Sequence, residues 1–328
     1  MSFKSKDIRS YESGDEKEIL ELFERVFERK MSLNFWNWRF RDNPWAKGII
    51  TLAWDQSVLA SHYAVMPVQV QVQNTLIKAV FSMTTMTHPE YRGKALFPRL
   101  ARRTYETSND LGYKLVYGFP NAISHGVFVK KLRWYDLGNV PIYSLDISCI
   151  PEFLKLTDPS ITSEKITSFN DGVDELWNAT RTNFPIAVPR TKMFLNWRFA
   201  DHPEIEYPMF LLKNGKGELI GYYILKIFKS GREKKGHIID YLLLDTVLFR
   251  DVLIYASDFF TNLGIQDVSF WMNQSLFQAL EPEIQKVIKR HLMSEVFFGG
   301  LLFENFEGSE LFKEFHNYYI TMADSDVF

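Results

Sequence analysis

Residues 79–97 read AVFSMTTMTHPEYRGKALF, and this stretch decides the fold. Its first nine residues are an apolar and β-branched run of the kind found in buried strands. The basic loop HPEYRGK follows directly, and an apolar pattern with helical spacing begins at Leu96. Pro98 fits the first turn of that helix, because the N–H groups there have no intrahelical partner. The stretch therefore predicts a strand, a tight loop and a helix in immediate succession.

The loop predicts a site for a phosphate group. Its backbone N–H groups and the positive end of the following helix can surround a pyrophosphate. Arg92 and Lys94 add positive charge, and Gly93 permits close approach of the backbone to a ligand. The alternative interpretation is a basic surface turn that precedes an ordinary helix.

Two sequence patterns occur twice in the chain. Residues 35–44 (FWNWRFRDNP) and 194–203 (FLNWRFADHP) agree at seven of ten positions, and 111–121 (LGYKLVYGFPN) is paired with 263–273 (LGIQDVSFWMN). The offsets are 159 and 152, so the second copy is seven residues shorter between the two patterns, and it has nothing like HPEYRGK. A repeat of this length indicates two domains. We place them at 1–150 and 151–328, and only the first has the phosphate loop.

Each half is predicted to be an α+β domain with a mixed, mainly antiparallel sheet flanked by helices. In the first half, strands are predicted at 49–54, 58–67, 68–72, 78–87 and 115–119, and helices at 96–111 and 122–132. The helix at 96–111 joins two strands that should run parallel.

Composition excludes several classes of protein. A net charge of −2 argues against a nucleic-acid surface. Cys149 is the single cysteine, so neither an intrachain disulfide nor a cysteine-rich zinc site can form. The seven histidines lack the close pairing of metal ligands, and no apolar run is long enough to span a bilayer. The start MSFKSKDIRS has no apolar core of a secretory signal. These features predict a cytoplasmic protein without a metal.

The order of strand, HPEYRGKALF, helix, strand and Asn resembles the GNAT acyltransferase superfamily. The signature Arg/Gln-x-x-Gly-x-Gly/Ala matches Arg92 to Phe97, with Ala95 at the first signature glycine and Phe97 at the last small position. The resemblance covers residues 1 to about 140, and it reaches the second half through the repeat alone. It implies tandem GNAT-like domains with a degenerate second copy.

The resemblance also implies a co-substrate and a reaction. The co-substrate is acetyl-CoA or another short acyl-CoA, and the acceptor is a primary amine of a small molecule or peptide. The implied coenzyme-binding residues are Met86, Thr87, Arg92, Gly93, Lys94, Ala95, Leu96, Phe97 and Asn121. The Asn121 side chain would bind the pantetheine arm; the alternative is that it only caps the next helix.

The acid and the base are less well defined. The tyrosine that the family often uses as the acid is replaced here, because Phe128 or Val129 falls at its position. The strand 79–87 carries no carboxylate, so His62 and His125 are the nearest titratable candidates for the base, with a water chain as the default. Two other functions stay open: a non-catalytic acyl-CoA sensor, and an aminoacyl transferase of the tandem cell-wall type. The acceptor and the oligomeric state are not predicted.

Overall fold

A computed structural model of the chain describes residues 7–150, 154–231, 233–291 and 296–326. The strands are β1 (Ile8–Ser10), β2 (Ile49–Asp55), β3 (Val58–Val72), β4 (Thr75–Thr87), β5 (Leu115–Gly118), β6 (Tyr135–Asn139), β7 (Ile142–Asp146), β8 (Thr162–Ile166), β9 (Ile186–Ala187), β10 (Met209–Lys213), β11 (Leu219–Ser230), β12 (Glu233–Leu243), β13 (Asp267–Trp271), β14 (Lys289–His291) and β15 (Phe297–Leu302). The α-helices are α1 (Glu16–Phe27), α2 (Leu33–Trp36), α3 (Leu96–Asp110), α4 (Ala122–Leu132), α5 (Gly172–Thr180), α6 (Lys192–Leu195), α7 (Phe249–Thr261), α8 (Gln274–Ala279) and α9 (Pro282–Val287). The predicted α+β class is confirmed.

The described residues form two compact units. The first comprises 7–138, 202–204 and 296–313. Its sheet has the order β1-β2-β3-β4-β5-β15-β6. Strands β4 and β5 run parallel, as predicted, while β1–β2, β2–β3, β3–β4 and β5–β15 are antiparallel. Helix α3 makes the crossover between the two parallel strands, so its amino end lies beyond the carboxyl end of β4.

The second unit comprises the remaining described residues from 139 onward. Its sheet has the order β14-β7-β13-β12-β11-β10-β8, and β12–β13 is its parallel pair, with α7 as the crossover. Apart from the additional short strand β9, the succession of strands and α-helices from β8 to α8 matches that from β1 to α4. The predicted boundary at residue 150 adjoins 151–153, which lie outside the described residues.

One strand in each sheet comes from a distant part of the chain. Strand β15 pairs with β5 in the first unit, and β7 pairs with β13 in the second. Both are antiparallel neighbours of the second strand of the parallel pair. Each unit therefore completes its sheet with a segment that the simple division into two sequence halves does not assign to it.

The spacing of apolar residues on α3 fixes where its amino end lies. Its buried residues recur at intervals of three and four, which places them on one face. They are Leu96, Leu100, Ala101, Thr104, Tyr105 and Ser108. This face packs on β2 and β3, and the core there also includes Val80 and Val116 of the parallel pair. Packing of the helix thus holds the preceding loop at the end of β4.

The repeated NWRF segment forms a π-helix in both units, at Asn37–Arg41 and Asn196–Ala200. Each follows a four-residue helix whose first N–H groups are capped by a hydroxyl, Ser32 or Thr191. The tryptophan of each copy, Trp38 or Trp197, is buried. The segment is therefore a structural element that the two units share. Within the described residues, no helix has the length and apolar character needed to cross a bilayer.

Candidate active site

The basic loop makes a sharp reversal between β4 and α3. Gly93 has φ +79° and Ala95 has φ +54°. Glycine adopts such a conformation without cost, whereas alanine pays for the contact between its Cβ and the backbone. The loop thus requires positive φ at the position where the signature has glycine and this chain has alanine. Residues 92–95 are exposed, and Arg92 makes no ion pair with any described acidic side chain.

The amino end of α3 has no side-chain cap. Its N-cap residue, Ala95, has no oxygen that could accept from the first-turn N–H groups, and no side-chain cap bond is present. Such groups need a partner from solvent or a ligand, and the helix dipole makes an anion favourable there. The Lys94 ammonium lies 4.4 Å from the centre of the Tyr91 ring, whose hydroxyl donates to Asp55 at 2.8 Å. This end of the helix therefore combines free donors with two cations.

A gap opens between β4 and the chain that follows β5. The last parallel pair is Ser82 and Gly118, where β5 ends, while β4 continues to Thr87. The segment from Met83 to Thr87 therefore has no β5 partner along one edge. This unpaired edge extends from the last parallel pair to the basic loop, and Asn121 lies three residues beyond the end of β5.

A β-bulge distorts β4 beside this gap. The register with β3 shifts between His62, opposite Met86, and Ala64, opposite Met83. Thr84 has φ +51°, a left-handed conformation that is rare for a β-branched residue. A bulge turns backbone groups out of the ladder, and strain of this kind clusters at functional sites. Sequence reasoning missed it, because the run TTMT carries no bulge signal.

His62 lies behind the bulge and is fully buried. Its Nδ1 is 2.8 Å from the Thr84 carbonyl oxygen, which can only accept, so Nδ1 carries the proton. Burial lowers the pKa of His62 to about 4, and its Nε2 has no hydrogen-bond partner in the described structure. The ring is therefore neutral at pH 7 and holds the carbonyl of the strained residue. Direct contact with an acceptor amine would need the site to open.

His125 occupies a more accessible position in the first turn of α4. Its Nε2 lies 3.0 Å from a carboxylate oxygen of Asp136, and its ring stacks on Phe297 with a centroid distance of 3.9 Å. The contact lacks hydrogen-bond geometry, but a carboxylate at this distance can orient and polarise the imidazole of a general base after a small rotation of the ring. Of the two histidine candidates, His125 is the one with a partly exposed side chain.

Asn121 caps α4. Its Oδ1 accepts from the backbone N–H groups of Ile123 and Ser124 at 3.1 and 3.0 Å. The capping role proposed as the alternative is thus present, and the residue remains exposed at the edge of the gap. Met86 is buried, and its carbonyl accepts from Ser61. Thr87 is partly exposed, and its hydroxyl lies 3.0 Å from that of Ser61.

The side chains of Leu96 and Phe97 belong to the core. Leu96 is buried, and Phe97 stacks on Tyr63 and packs edge-on against Phe128. For these two residues, only backbone N–H groups are available to a ligand. Phe128 is also buried, so α4 presents no hydroxyl at the position where the family often has tyrosine. No group of three or more potential metal ligands occurs within the described ranges.

Comparison with known proteins agrees with this geometry. Residues 7–134 match the family model described as "Acetyltransferase (GNAT) domain". This part of the chain is therefore similar in sequence to a GNAT acetyltransferase domain. A search of curated proteins finds no match.

Solved structures show the same fold over most of the chain. A probable N-acyltransferase from Enterococcus faecalis is 12% identical with a TM-score of 0.69, and 90% of this chain and 71% of that chain are covered. A GCN5-related N-acetyltransferase from Anabaena variabilis is 11% identical, with a TM-score of 0.69 and coverage of 89% and 72%. The Saccharomyces cerevisiae N-myristoyltransferase with bound myristoyl-CoA is 12% identical, with a TM-score of 0.60 and coverage of 90% and 79%. At these identities the likeness concerns the fold.

Proposed function

We propose that this protein is an N-acyltransferase that moves an acetyl or other short acyl group from acyl-CoA to a primary amine of a small molecule or peptide. The observation that carries the proposal is the uncapped amino end of α3 behind an exposed basic loop. It lies where β4 outruns β5, so the unpaired edge of β4 provides a path from the basic loop to the last parallel pair. A pyrophosphate joined to a long, thin arm fits such a path.

In this proposal the pyrophosphate binds the N–H groups of residues 93–97, with Arg92 and Lys94 supplying charge. The pantetheine arm follows β4 at Met86 and Thr87, opposite Asn121. The amine attacks the thioester carbonyl carbon, and backbone N–H groups beside the bulge stabilise the oxyanion.

The attacking amine must lose a proton, because a protonated amine is not nucleophilic. We propose His125, oriented by Asp136, as the group that takes this proton. His62 is buried and fits a second role better, which is to hold the Thr84 carbonyl and so the shape of the bulge.

The second unit is proposed to be a degenerate copy without a coenzyme site. Its short turn Thr246–Leu248 stands where the basic loop stands in the first unit. There the Asp245 side chain accepts from the Val247 N–H at 3.0 Å, so a carboxylate already occupies the position that a phosphate would need. We expect one coenzyme per chain. A cytoplasmic location is part of the same proposal.

A thiol-release assay tests the function. Acyl-CoA donors of increasing chain length are combined with a panel of amino sugars, polyamines and peptides, and calorimetry with coenzyme A gives the affinity and the stoichiometry. Release with one donor and one amine class, and one site per chain, support the proposal. Tight binding without release from any amine indicates the sensor. No binding of coenzyme A, together with transfer from a charged tRNA, indicates the aminoacyl transferase.

A further inference from the structure

Four buried side chains of the first unit form a continuous hydrogen-bonded chain. The Trp134 indole N–H donates to the Tyr105 hydroxyl at 3.0 Å, the Tyr105 and Tyr63 hydroxyls are 2.8 Å apart, and the Tyr63 hydroxyl is 2.7 Å from that of Ser82. Each of the four residues is less than one-tenth exposed. Burial raises the pKa of Tyr63 and of Tyr105 far above 10, so both phenols keep their protons.

The chain has a single direction. An indole N–H can only donate, so the Tyr105 oxygen accepts, and its own proton has Tyr63 as the available acceptor. The Tyr63 proton then goes to Ser82. Any other arrangement leaves a buried hydroxyl proton without a partner, which is costly. The Ser82 hydroxyl is therefore the end of the chain, and among the described residues nothing accepts its proton.

Ser82 lies at the inner end of the gap. It belongs to the last parallel pair, and its partner Gly118 has no side chain. A Cβ at Gly118 would lie 3.3 Å from the Ser82 Cβ and 3.3 Å from the nearest atom of the Trp134 ring. Only glycine fits at 118 without displacing these neighbours, so no side chain from β5 comes between the Ser82 hydroxyl and the gap.

The length of the coenzyme arm suits this position. About thirteen bonds separate the pyrophosphate from the thiol, an extended reach of roughly 15 Å. The five residue steps from Thr87 to Ser82 span about 16 Å of strand, a little less across the bulge. A pyrophosphate on the loop beyond Thr87 thus brings the sulfur to the inner part of the gap.

We propose that the Ser82 hydroxyl donates a hydrogen bond to the sulfur of the leaving coenzyme A thiolate. This assignment rests on the proposed acyl transfer. The amine nitrogen forms a bond to the carbonyl carbon, the C–S bond breaks, and its electron pair stays on sulfur. The proton that the amine nitrogen releases later protonates the thiolate. Ser82 therefore keeps its own proton.

The chain behind Ser82 strengthens the donor. Hydrogen bonds in series polarise one another, and the low dielectric of the core increases the effect. Trp134, Tyr105 and Tyr63 act as positioning residues, while Ser82 is the catalytic residue. This hydroxyl would serve where α4 has Phe128 in place of an acid.

The decisive experiment compares coenzyme A with desulfo-coenzyme A, which lacks the sulfur. At pH 9 a thiol with an ordinary pKa of about 8.5 is mostly ionised. Wild-type protein should then bind coenzyme A about tenfold or more tightly than the desulfo analogue, because a hydrogen bond to a charged acceptor is strong. In Ser82→Ala this preference should vanish while the affinity for the desulfo analogue stays the same. Turnover should fall about 10- to 100-fold with an unchanged KM for acyl-CoA.

Two further variants complete the test. Ser108→Ala removes a buried serine of α3 that bonds to the Thr104 carbonyl, and it should behave as wild type. Tyr63→Phe cuts the chain behind Ser82 and should lower both turnover and the preference for the sulfur by a smaller factor than Ser82→Ala. If Ser82→Ala does not bind the desulfo analogue, Tyr63→Phe is the variant that tests the proposal.

The outcomes separate the two proposals. A wild-type protein that binds neither compound refutes the acyl transfer itself. The role of Ser82 is overturned if the wild type binds coenzyme A and turns over acyl-CoA, and Ser82→Ala has the same turnover and the same preference for the sulfur. If Tyr63→Phe has the turnover and the sulfur preference of the wild type, the proposal that the hydroxyl chain strengthens Ser82 is wrong.

Discussion

The buried His62 predicts a specific loss of stability in acid. Burial lowers its pKa to about 4 in the folded protein, whereas in the unfolded chain the ordinary value is about 6.5. The unfolded state therefore binds the proton more tightly. Stability is highest above pH 6.5, falls as the pH is lowered through the window from 6.5 to 4, and levels off below it. The contribution of this one group is about 3 kcal/mol, at roughly 1.4 kcal/mol per pH unit.

The substitution His62→Asn isolates this effect. The Asn amide nitrogen can take the place of Nδ1 and keep the bond to the Thr84 carbonyl, but it does not titrate. His62→Gln is the matched variant, because its amide nitrogen corresponds to Nε2 and loses that bond. At pH 7 we expect His62→Gln to be less stable than His62→Asn by about 1 kcal/mol.

Urea unfolding of the three proteins at intervals between pH 7 and pH 4 gives the measurement. Acidic residues and the partly buried His237, whose pKa is also lowered by burial, contribute equally to all three, so they cancel in the difference. The wild type should lose about 3 kcal/mol more than either variant over this range. Parallel curves for wild type and His62→Asn would show that His62 titrates normally, and the reasoning from its burial would be wrong.

Three further predictions concern the site. Arg92→Glu should weaken coenzyme A binding about 10- to 100-fold in calorimetry, through loss of a charge-assisted phosphate contact, and equal affinity would remove Arg92 from the site. Ala95→Gly should raise the free energy of unfolding by about 1 kcal/mol, because alanine pays for its left-handed conformation; a loss of stability would contradict this. His125→Gln should lower turnover about 100-fold with unchanged coenzyme A affinity, and wild-type turnover would leave the proton to water.

Local sequence patterns were sufficient for most elements of the first unit. The helix predicted at 122–132 is α4, the helix at 96–111 is α3 within one residue, and the strand at 115–119 is β5 within one residue. The two strands predicted at 58–67 and 68–72 are a single strand, β3, because Pro67 did not interrupt it. The bounds of these segments depend on the periodicity of apolar residues and on nearby residues that break helices or strands, and both can be read from a single sequence.

The pairing of strands from distant parts of the chain could not be predicted from the sequence. Strands β7 and β15 each lie beside a partner that is more than a hundred residues away. Their sequences can show that they form strands, but not which strand they pair with, because pairing depends on which sheet has a free edge. The π-helical NWRF segment was also missed, although its repetition was the clearest signal of two related halves.

The candidate site was predicted only in part. The features that were not predicted depend on residues that are far apart in the sequence. The basic loop could be found because its charge and glycine are consecutive. The hydroxyl chain could not, because Tyr63, Ser82, Tyr105 and Trp134 are scattered over 72 positions and look like ordinary core and strand residues. The bulge at Thr84 depends on the register of β3 and β4, which no short pattern specifies.

The two units differ most in how completely their polar groups are paired. In the second unit, Arg190 is fully buried, and all five of its N–H groups are used. Its acceptors include the carboxylates of Asp240 and Asp324.

In the second unit the Asp245 carboxylate accepts from the Val247 N–H in the turn before α7, although α7, like α3, has no side-chain cap of its own. In the first unit, the exposed residues just before α3 include the cations Arg92 and Lys94, and the hydroxyl chain ends on a Ser82 proton that no described residue accepts. Buried or oriented donors without partners are costly, and a fold retains them where a ligand supplies the acceptor. The turn before the crossover helix thus holds a carboxylate in the second unit and exposed cations in the first, which is the physical basis for placing the chemistry in the first unit.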